Sequence, residues 1–157
     1  MSTVTGCSPG TALAREGLIL TVPAAIRSHA QQSPDHPALV VADGPTLGYA
    51  QLNAHVEAVG ATLADLGVAR TDTIGIALRD GPAMAISFLG VSAVSGAAPL
   101  NPSYREPEFD FEIEDLGLAA MVVGTGAAEI PAAVAAANGR GIPVIRIAAD
   151  HTDTDLT

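Results

Sequence analysis

The sequence predicts an α/β fold: a doubly wound parallel sheet with flanking helices, preceded by one helix and a small hairpin. Three observations carry that prediction. Short apolar runs suited to buried strands, such as T-I-G-I-A-L at residues 73–78, alternate along the chain with segments of helical period. Prolines near the starts of those segments and glycines near their ends separate the elements. Strands that alternate with helices in this way imply βαβ crossovers, and so a sheet covered on both faces. No internal repeat interrupts the alternation.

The elements follow in order. Residues 1–20 lack a steady period and contain Gly6, Pro9, Gly10 and Gly17, which reads as an extended or disordered lead-in. Thr21 suits a helix N-cap, with Pro23 just inside the start. Ile26 and Ala30 give this helix an apolar side, and S-P-D-H-P ends it near Ser33. Residues 38–41 read as a short strand, Asp43-Gly44 as a hairpin turn, and Pro45-Thr46-Leu47 as the returning strand. Leu52, Val56, Val59, Leu63 and Leu66 then fall at i, i+4, i+7, i+11 and i+14, one face of a helix that Gly67 stops. After the strand at 73–78, Asp80 can cap a helix with Pro82 in its first turn. That helix, 83–94, is apolar nearly all round, so both its sides should be buried.

Residues 95–116 are the most informative stretch. A short apolar strand, Ala97-Ala98-Pro99-Leu100, must turn at Asn101-Pro102, because proline fixes its own φ and pushes the preceding residue from helical geometry. The residues after that turn fit two templates. Phe109, Phe111 and Ile113 alternate with acidic residues as in a strand, whereas Phe109, Ile113 and Leu116 sit at i, i+4 and i+7 as in a helix. Glu106, Pro107 and Glu108 suit a helix's first turn and Gly117 its end, so the segment reads as strand, turn, helix. Beyond it come a strand at 119–123, an Ala-rich helix at 131–138 stopped by Asn138-Gly139, and a last strand at 143–147. Residues 150–157, D-H-T-D-T-D-L-T, read as an acidic linker or frayed tail. The domain is therefore expected over 21–149.

Composition excludes several function classes. A net charge of −10 argues against binding nucleic acid, whose phosphates need clustered cations. All seven basic residues are arginine. Without lysine the chain has no Walker phosphate loop, no Schiff-base nucleophile and no lysine base. Cys7 is the only cysteine, in keeping with a reducing compartment, and no apolar run is long enough for a bilayer. The N-terminus lacks a basic region ahead of an apolar one, so the expected location is the cytoplasm.

Candidate chemistry is sparse. His29, His36, His55 and His151 show no metal-ligand spacing, and Cys7 has no activating neighbours, so no metal site and no catalytic residue is assigned. The acidic residues of 106–115 read as a solvated stripe, with Glu108 and Glu112 sharing an outward face. Gly124-Thr125-Gly126-Ala127-Ala128-Glu129 lies between a strand and a helix, as a dinucleotide loop does, but Glu129 stands where the third glycine belongs. Asn101-Pro102-Ser103-Tyr104-Arg105 leaves the carboxyl end of a strand, the place where open α/β sheets bind ligands. The alternative there is structural: Tyr104 packs, and Arg105 pairs with the acidic helix.

Two stretches carry a resemblance. L-G-Y-A-Q-L at residues 47–52 is similar to the L-T-Y-x-E-L of the adenylate-forming enzymes, the AMP-binding acyl-CoA synthetase superfamily, with Gly48 where the family tends to carry threonine. G-A-A-P-L-N-P-S-Y-R-E-P-E-F-D-F-E-I-E-D-L at 96–116 resembles the same superfamily, and its P-L-N-P-x-Y-x-x-x-E-F-x-F pattern resembles the oxalate–CoA ligase branch. The likeness extends over residues 21–147 and corresponds to the family's N-terminal portion. It implies a two-step ligase that uses ATP, Mg and CoA, forming an acyl-AMP and then a thioester. In some of the coenzyme-A ligases that the chain resembles, a basic residue just after the Asn-Pro pair contacts a CoA phosphate. Here Ser103 holds that place and Arg105 stands two places on, so the resemblance implies Arg105 as the cofactor-binding residue. The family's Thr/Ser/Gly-rich phosphate loop and catalytic lysine are not in this sequence. The chain is thus expected to be a ligase fragment inactive alone, its partner the remainder of the synthetase or a second copy. The alternatives are a free-standing α/β interaction module and a small nucleotide-binding module.

Overall fold

The computed structural model describes residues 21–41, 44 and 46–148. The expected lead-in at 1–20, the tail at 150–157, and Asp43 and Pro45 of the hairpin lie outside the described residues. Helix α1 (Val22–Gln32) begins at Thr21, whose hydroxyl accepts from the Ala24 N–H at 3.4 Å, with Pro23 in the first turn. It ends at Ser33, as the sequence predicts. Strands β1 (Pro37–Val40) and β2 (Thr46–Gly48) pair antiparallel, with Leu39 opposite Leu47 and Val40 opposite Thr46.

Helix α2 (Tyr49–Asp65) is capped by Gly48, whose N–H donates to the Gln51 side-chain oxygen at 3.1 Å. The glycine has a second role. A Cβ at position 48 would lie 2.7 Å from the Pro34 carbonyl oxygen, so the backbone of the preceding loop occupies the space of a side chain. The α2 stripe divides its work along its length. Leu52 and Val56 meet Ile26 of α1, while Leu63 packs on the main sheet.

The main sheet is four-stranded and wholly parallel, in the order β4-β3-β5-β6. Its strands are β3 (Thr73–Ala77), β4 (Gly96–Pro99), β5 (Leu118–Gly124) and β6 (Val144–Ile147), joined by α3 (Pro82–Val94), α4 (Glu106–Asp115) and α5 (Pro131–Arg140). Alternate side chains serve opposite faces, as the two-residue strand period requires. Ile74, Ile76, Ala120 and Val122 join Val91 of α3 and Leu63 of α2. Ala77, Met121 and Val123 join Phe109 and Ile113 of α4 and Ala133, Ala136 and Ala137 of α5. Helices therefore cover both faces, and the chain reverses its direction of travel at β3. Helices α2 and α3 approach closely at Gly90, where a Cβ would sit 2.5 Å from that of Val59.

Several details correct the sequence reading. Leu66 is 52% exposed, because it lies at the C-cap, past the last full turn of α2, where Gly67 reverses the chain at φ +76°. Asp80 does not cap α3; Gly81 holds the N-cap position at φ +150°, with no side-chain hydrogen bond. In α3 only Ser87, Gly90 and Val91 are buried, and Phe88 is 40% exposed, so its apolar character does not mean burial on both sides. Helix α5 runs through Asn138-Gly139 and ends at Gly141, left-handed at φ +67°. Leu116 is a half-exposed C-cap, not a core residue.

Candidate functional site

The turn after β4 is fixed by its own backbone. The Leu100 N–H donates to the Ile76 carbonyl at 2.9 Å, extending the ladder one step past Pro99. Asn101 then closes the turn twice: its side-chain oxygen accepts from the Ser103 N–H at 2.9 Å, and its carbonyl from the Tyr104 N–H at 3.1 Å. Asparagine suits this place because its short side chain mimics a backbone turn. Tyr104 packs edge-on against the buried Phe109, ring centroids 5.7 Å apart, as the structural reading expects.

Arg105 follows as the N-cap residue of α4. Its N–H donates to the Glu108 carboxylate at 2.8 Å, so the acidic first turn binds the Arg105 backbone. The expected ion pair between the Arg105 side chain and the acidic helix is not formed. Arg105 is exposed, and among the described residues its guanidinium meets no carboxylate. The helix's acids are engaged from the other side. Asp110 and Glu114 pair with Arg140 of α5, which sequence spacing cannot reveal across 30 and 26 residues. Hydrogen bonding from Arg140 holds the Asp110 carboxyl below its ordinary value of 3.8, more than desolvation raises it.

Three amides of the loop after β5 are bonded within the protein. Thr125 N–H donates to the Ile147 carbonyl at 3.0 Å, Ala128 N–H to Thr125 at 3.1 Å, and Glu129 N–H to Gly126 at 3.2 Å. A Cβ on Gly124 would lie 2.8 Å from that of Ala128, so this glycine lets the loop close on itself. Glu129 is held by Arg146 at 3.0 Å. Those three amides are thus taken from the backbone cradle that a pyrophosphate needs.

Among the described residues, His29 and His36 both lie near Tyr49. His29 stacks on Tyr49 at 4.8 Å, and the His36 ring lies 6.3 Å from Tyr49 with its Nδ1 3.2 Å from the Pro37 carbonyl. Among the described residues no three His, Cys, Asp or Glu side chains gather as metal ligands. No described helix is long and apolar enough to cross a membrane. Arg105, an exposed guanidinium beyond the carboxyl end of β4, is a candidate for holding a phosphate or carboxylate, and Arg79, exposed two residues past β3, is another.

Comparison with known proteins agrees with the fold. The family model described as "AMP-binding enzyme" matches residues 26–156. The chain is 34% identical over 88 residues to the oxalate–CoA ligase of Saccharomyces cerevisiae, covering 54% of this chain and 16% of that protein. It is also 28% identical over 97 residues to bacitracin synthase 1 of Bacillus licheniformis, covering 61% of this chain and 2% of that protein. A third relative is the AMB antimetabolite synthetase AmbB of Pseudomonas aeruginosa, 27% identical over 136 residues, with 79% of this chain and 11% of that protein covered. The likeness is therefore not confined to the oxalate–CoA ligase branch, and the chain spans a small fraction of each relative. In fold it is similar to the anthranilate CoA ligase AuaEII in complex with anthranoyl-AMP, at TM-score 0.68 and 18% identity over 84% of this chain and 26% of that one. It is similar too to the N-terminal domain of FACL13 from Mycobacterium tuberculosis, at TM-score 0.61 and 21% identity over 79% of this chain and 33% of that one. The chain belongs to the AMP-binding enzymes, the adenylate-forming superfamily, and its fold is consistent with their N-terminal subdomain.

Proposed function

We propose that this chain supplies the N-terminal subdomain of a ligase that activates a carboxylic acid as its adenylate and passes the acyl group to coenzyme A, with Arg105 holding a CoA phosphate. Arg105 is the observation that carries this reading. It leaves the carboxyl end of β4, where open α/β sheets bind ligands, and its guanidinium is exposed and without an ion-pair partner among the described residues. In this reading ATP and Mg are cofactors of the whole ligase. Other parts of that ligase supply the rest, and this chain alone, which has no lysine, completes neither step. Its partner is that remainder or, in isolation, a second copy. Oxalate is the first acid to assay, on the strength of the yeast relative.

The test is titration of CoA and dephospho-CoA into the full chain and into Arg105→Ala. Weak, salt-sensitive CoA binding that the substitution abolishes is the expected result. Binding that is absent, or unchanged by the substitution, overturns the role of Arg105. Steady AMP release from ATP, CoA and oxalate with this chain alone would overturn its inactivity.

A further inference from the structure

A cavity of about 80 Å³ lies between α2, α3 and the β5–β6 edge of the sheet. It is apart from Arg105, which follows β4 at the opposite edge. Leu63, Val122, Ile145 and Ile147 give it aliphatic walls, with Val122 and Ile145 side by side in the parallel ladder. Ala58 is the smallest side chain of the lining, so α2 leaves room there. Thr62 and Arg146 are exposed and mark the mouth, where Arg146 is held by Glu129.

Ser87 of α3 also lines the cavity, and it is fully buried. Its hydroxyl has no hydrogen-bond partner among the described residues. Other hydroxyls of these two helices turn back on their own backbone. Thr62 donates to the Ala58 carbonyl at 3.0 Å, and Ser95 to the Val91 carbonyl at 3.5 Å. That is a common way for such a group to be satisfied. The Ser87 hydroxyl is instead left to the cavity, and burying a hydroxyl without a partner opposes folding. A ligand that brings one polar atom to Ser87 and aliphatic surface to the walls removes that penalty.

The lining narrows the ligand further. A serine hydroxyl both donates and accepts, so an alcohol meets it in either sense. An ion does not fit. Arg146 is already engaged by Glu129, no other charged side chain lines the cavity, and aliphatic walls do not draw an unpaired charge from water. The volume exceeds the roughly 10–15 Å³ that holds one water and falls short of the ~150 Å³ of a dry cavity that takes benzene. The ligand is therefore only a few heavy atoms in size.

We propose that this cavity binds a small neutral alcohol with a branched aliphatic body, its hydroxyl on Ser87 and its carbon atoms against Leu63, Val122 and Ile145.

The test uses isobutanol and xenon as probes on the full chain, read by NMR from the backbone amide shifts. Both should shift the amides of Ser87, Val122 and Ile145. Ser87→Ala keeps the cavity without the hydroxyl, so it should retain xenon and bind isobutanol about fivefold more weakly. Ala58→Leu fills the space and should exclude both probes. If Ala58→Leu loses its cooperative thermal transition, Thr62→Phe at the mouth takes its place. Absence of isobutanol shifts at those amides overturns the proposal, whatever xenon does. So does isobutanol binding that Ser87→Ala leaves unchanged. Isobutanol shifts that persist in the filled variant overturn it too, since the binding would then lie elsewhere.

Discussion

Arg140 of α5 grips two successive turns of α4, its guanidinium donating to Asp110 and, at 2.7 Å, to Glu114. The arrangement clamps the two helices that cover one face of the sheet. The Asp110 carboxyl is held below 3.8 chiefly by the Arg140 hydrogen bond. A carboxyl with a lowered folded-state pKa stabilises the fold fully above its ordinary value, and that contribution is lost as the pH falls through the lowered one. Denaturation midpoints should therefore drop below about pH 4, and Asp110→Asn should flatten that limb. An acid limb unchanged in the variant would contradict the assignment.

Gly48→Thr installs the threonine of the L-T-Y-x-E-L pattern that residues 47–52 resemble, yet it should destabilise this chain. A better N-cap gains at most a few tenths of a kcal/mol over glycine. The Cβ would meet the Pro34 carbonyl at 2.7 Å, and overpacking of this sort costs about 1–3 kcal/mol. Urea denaturation of the two proteins decides it, and equal or greater stability in the variant rejects the steric account.

Phe109 and Phe111 should respond oppositely to truncation. Phe109 is fully buried among α5, β5 and Tyr104, whereas Phe111 is 62% exposed. Phe109→Ala should cost about 3–5 kcal/mol, while Phe111→Ala should stay within about 0.5 kcal/mol. Similar losses at both positions would mean that α4 packs otherwise.

Phe88 stands exposed on α3, with the half-buried Met84 and Ala85 one turn before it on the same side of the helix. An aromatic ring extending an apolar strip in this way favours contact between copies. The isolated chain should therefore sediment in a concentration-dependent manner, and Phe88→Glu should weaken that dependence. A clean monomer at high concentration in both proteins would remove the second copy as a partner.

Phe109 and Phe111 also show how much is legible in the sequence. Residues 108–114 match a strand and a helix by period, and the first-turn signals Glu106, Pro107 and Glu108 decide correctly for the helix. Thr21 likewise marks α1 by local chemistry alone. Signals fail where a local choice is settled by something distant or competing. Asn138-Gly139 has the chemistry of a stop, but α5 continues to Gly141, where the left-handed cap actually forms. Proximity in sequence pairs Arg105 with the acids of α4, while Arg140 takes Asp110 and Glu114 from another helix. The edge of the sheet is foreseeable from strand order, but the internal bonding of the Gly124–Glu129 loop is not, because amide partners such as Ile147 come from another strand.

The position of β3 at the centre of the sheet has a consequence for folding order. Both its neighbours, β4 and β5, come later in the chain, so Ile74 and Ile76 are synthesised well before β5 can flank them. The cluster of Ile26, Leu52 and Val56 waits as well, since Ile86, Leu89 and Ala93 of α3 complete its packing. A nascent chain stopped before residue 86 therefore holds helices that lack their tertiary support, and non-local pairing of this kind folds slowly. The cooperative step should arrive only when residues 118–124 emerge, uniting both halves at once.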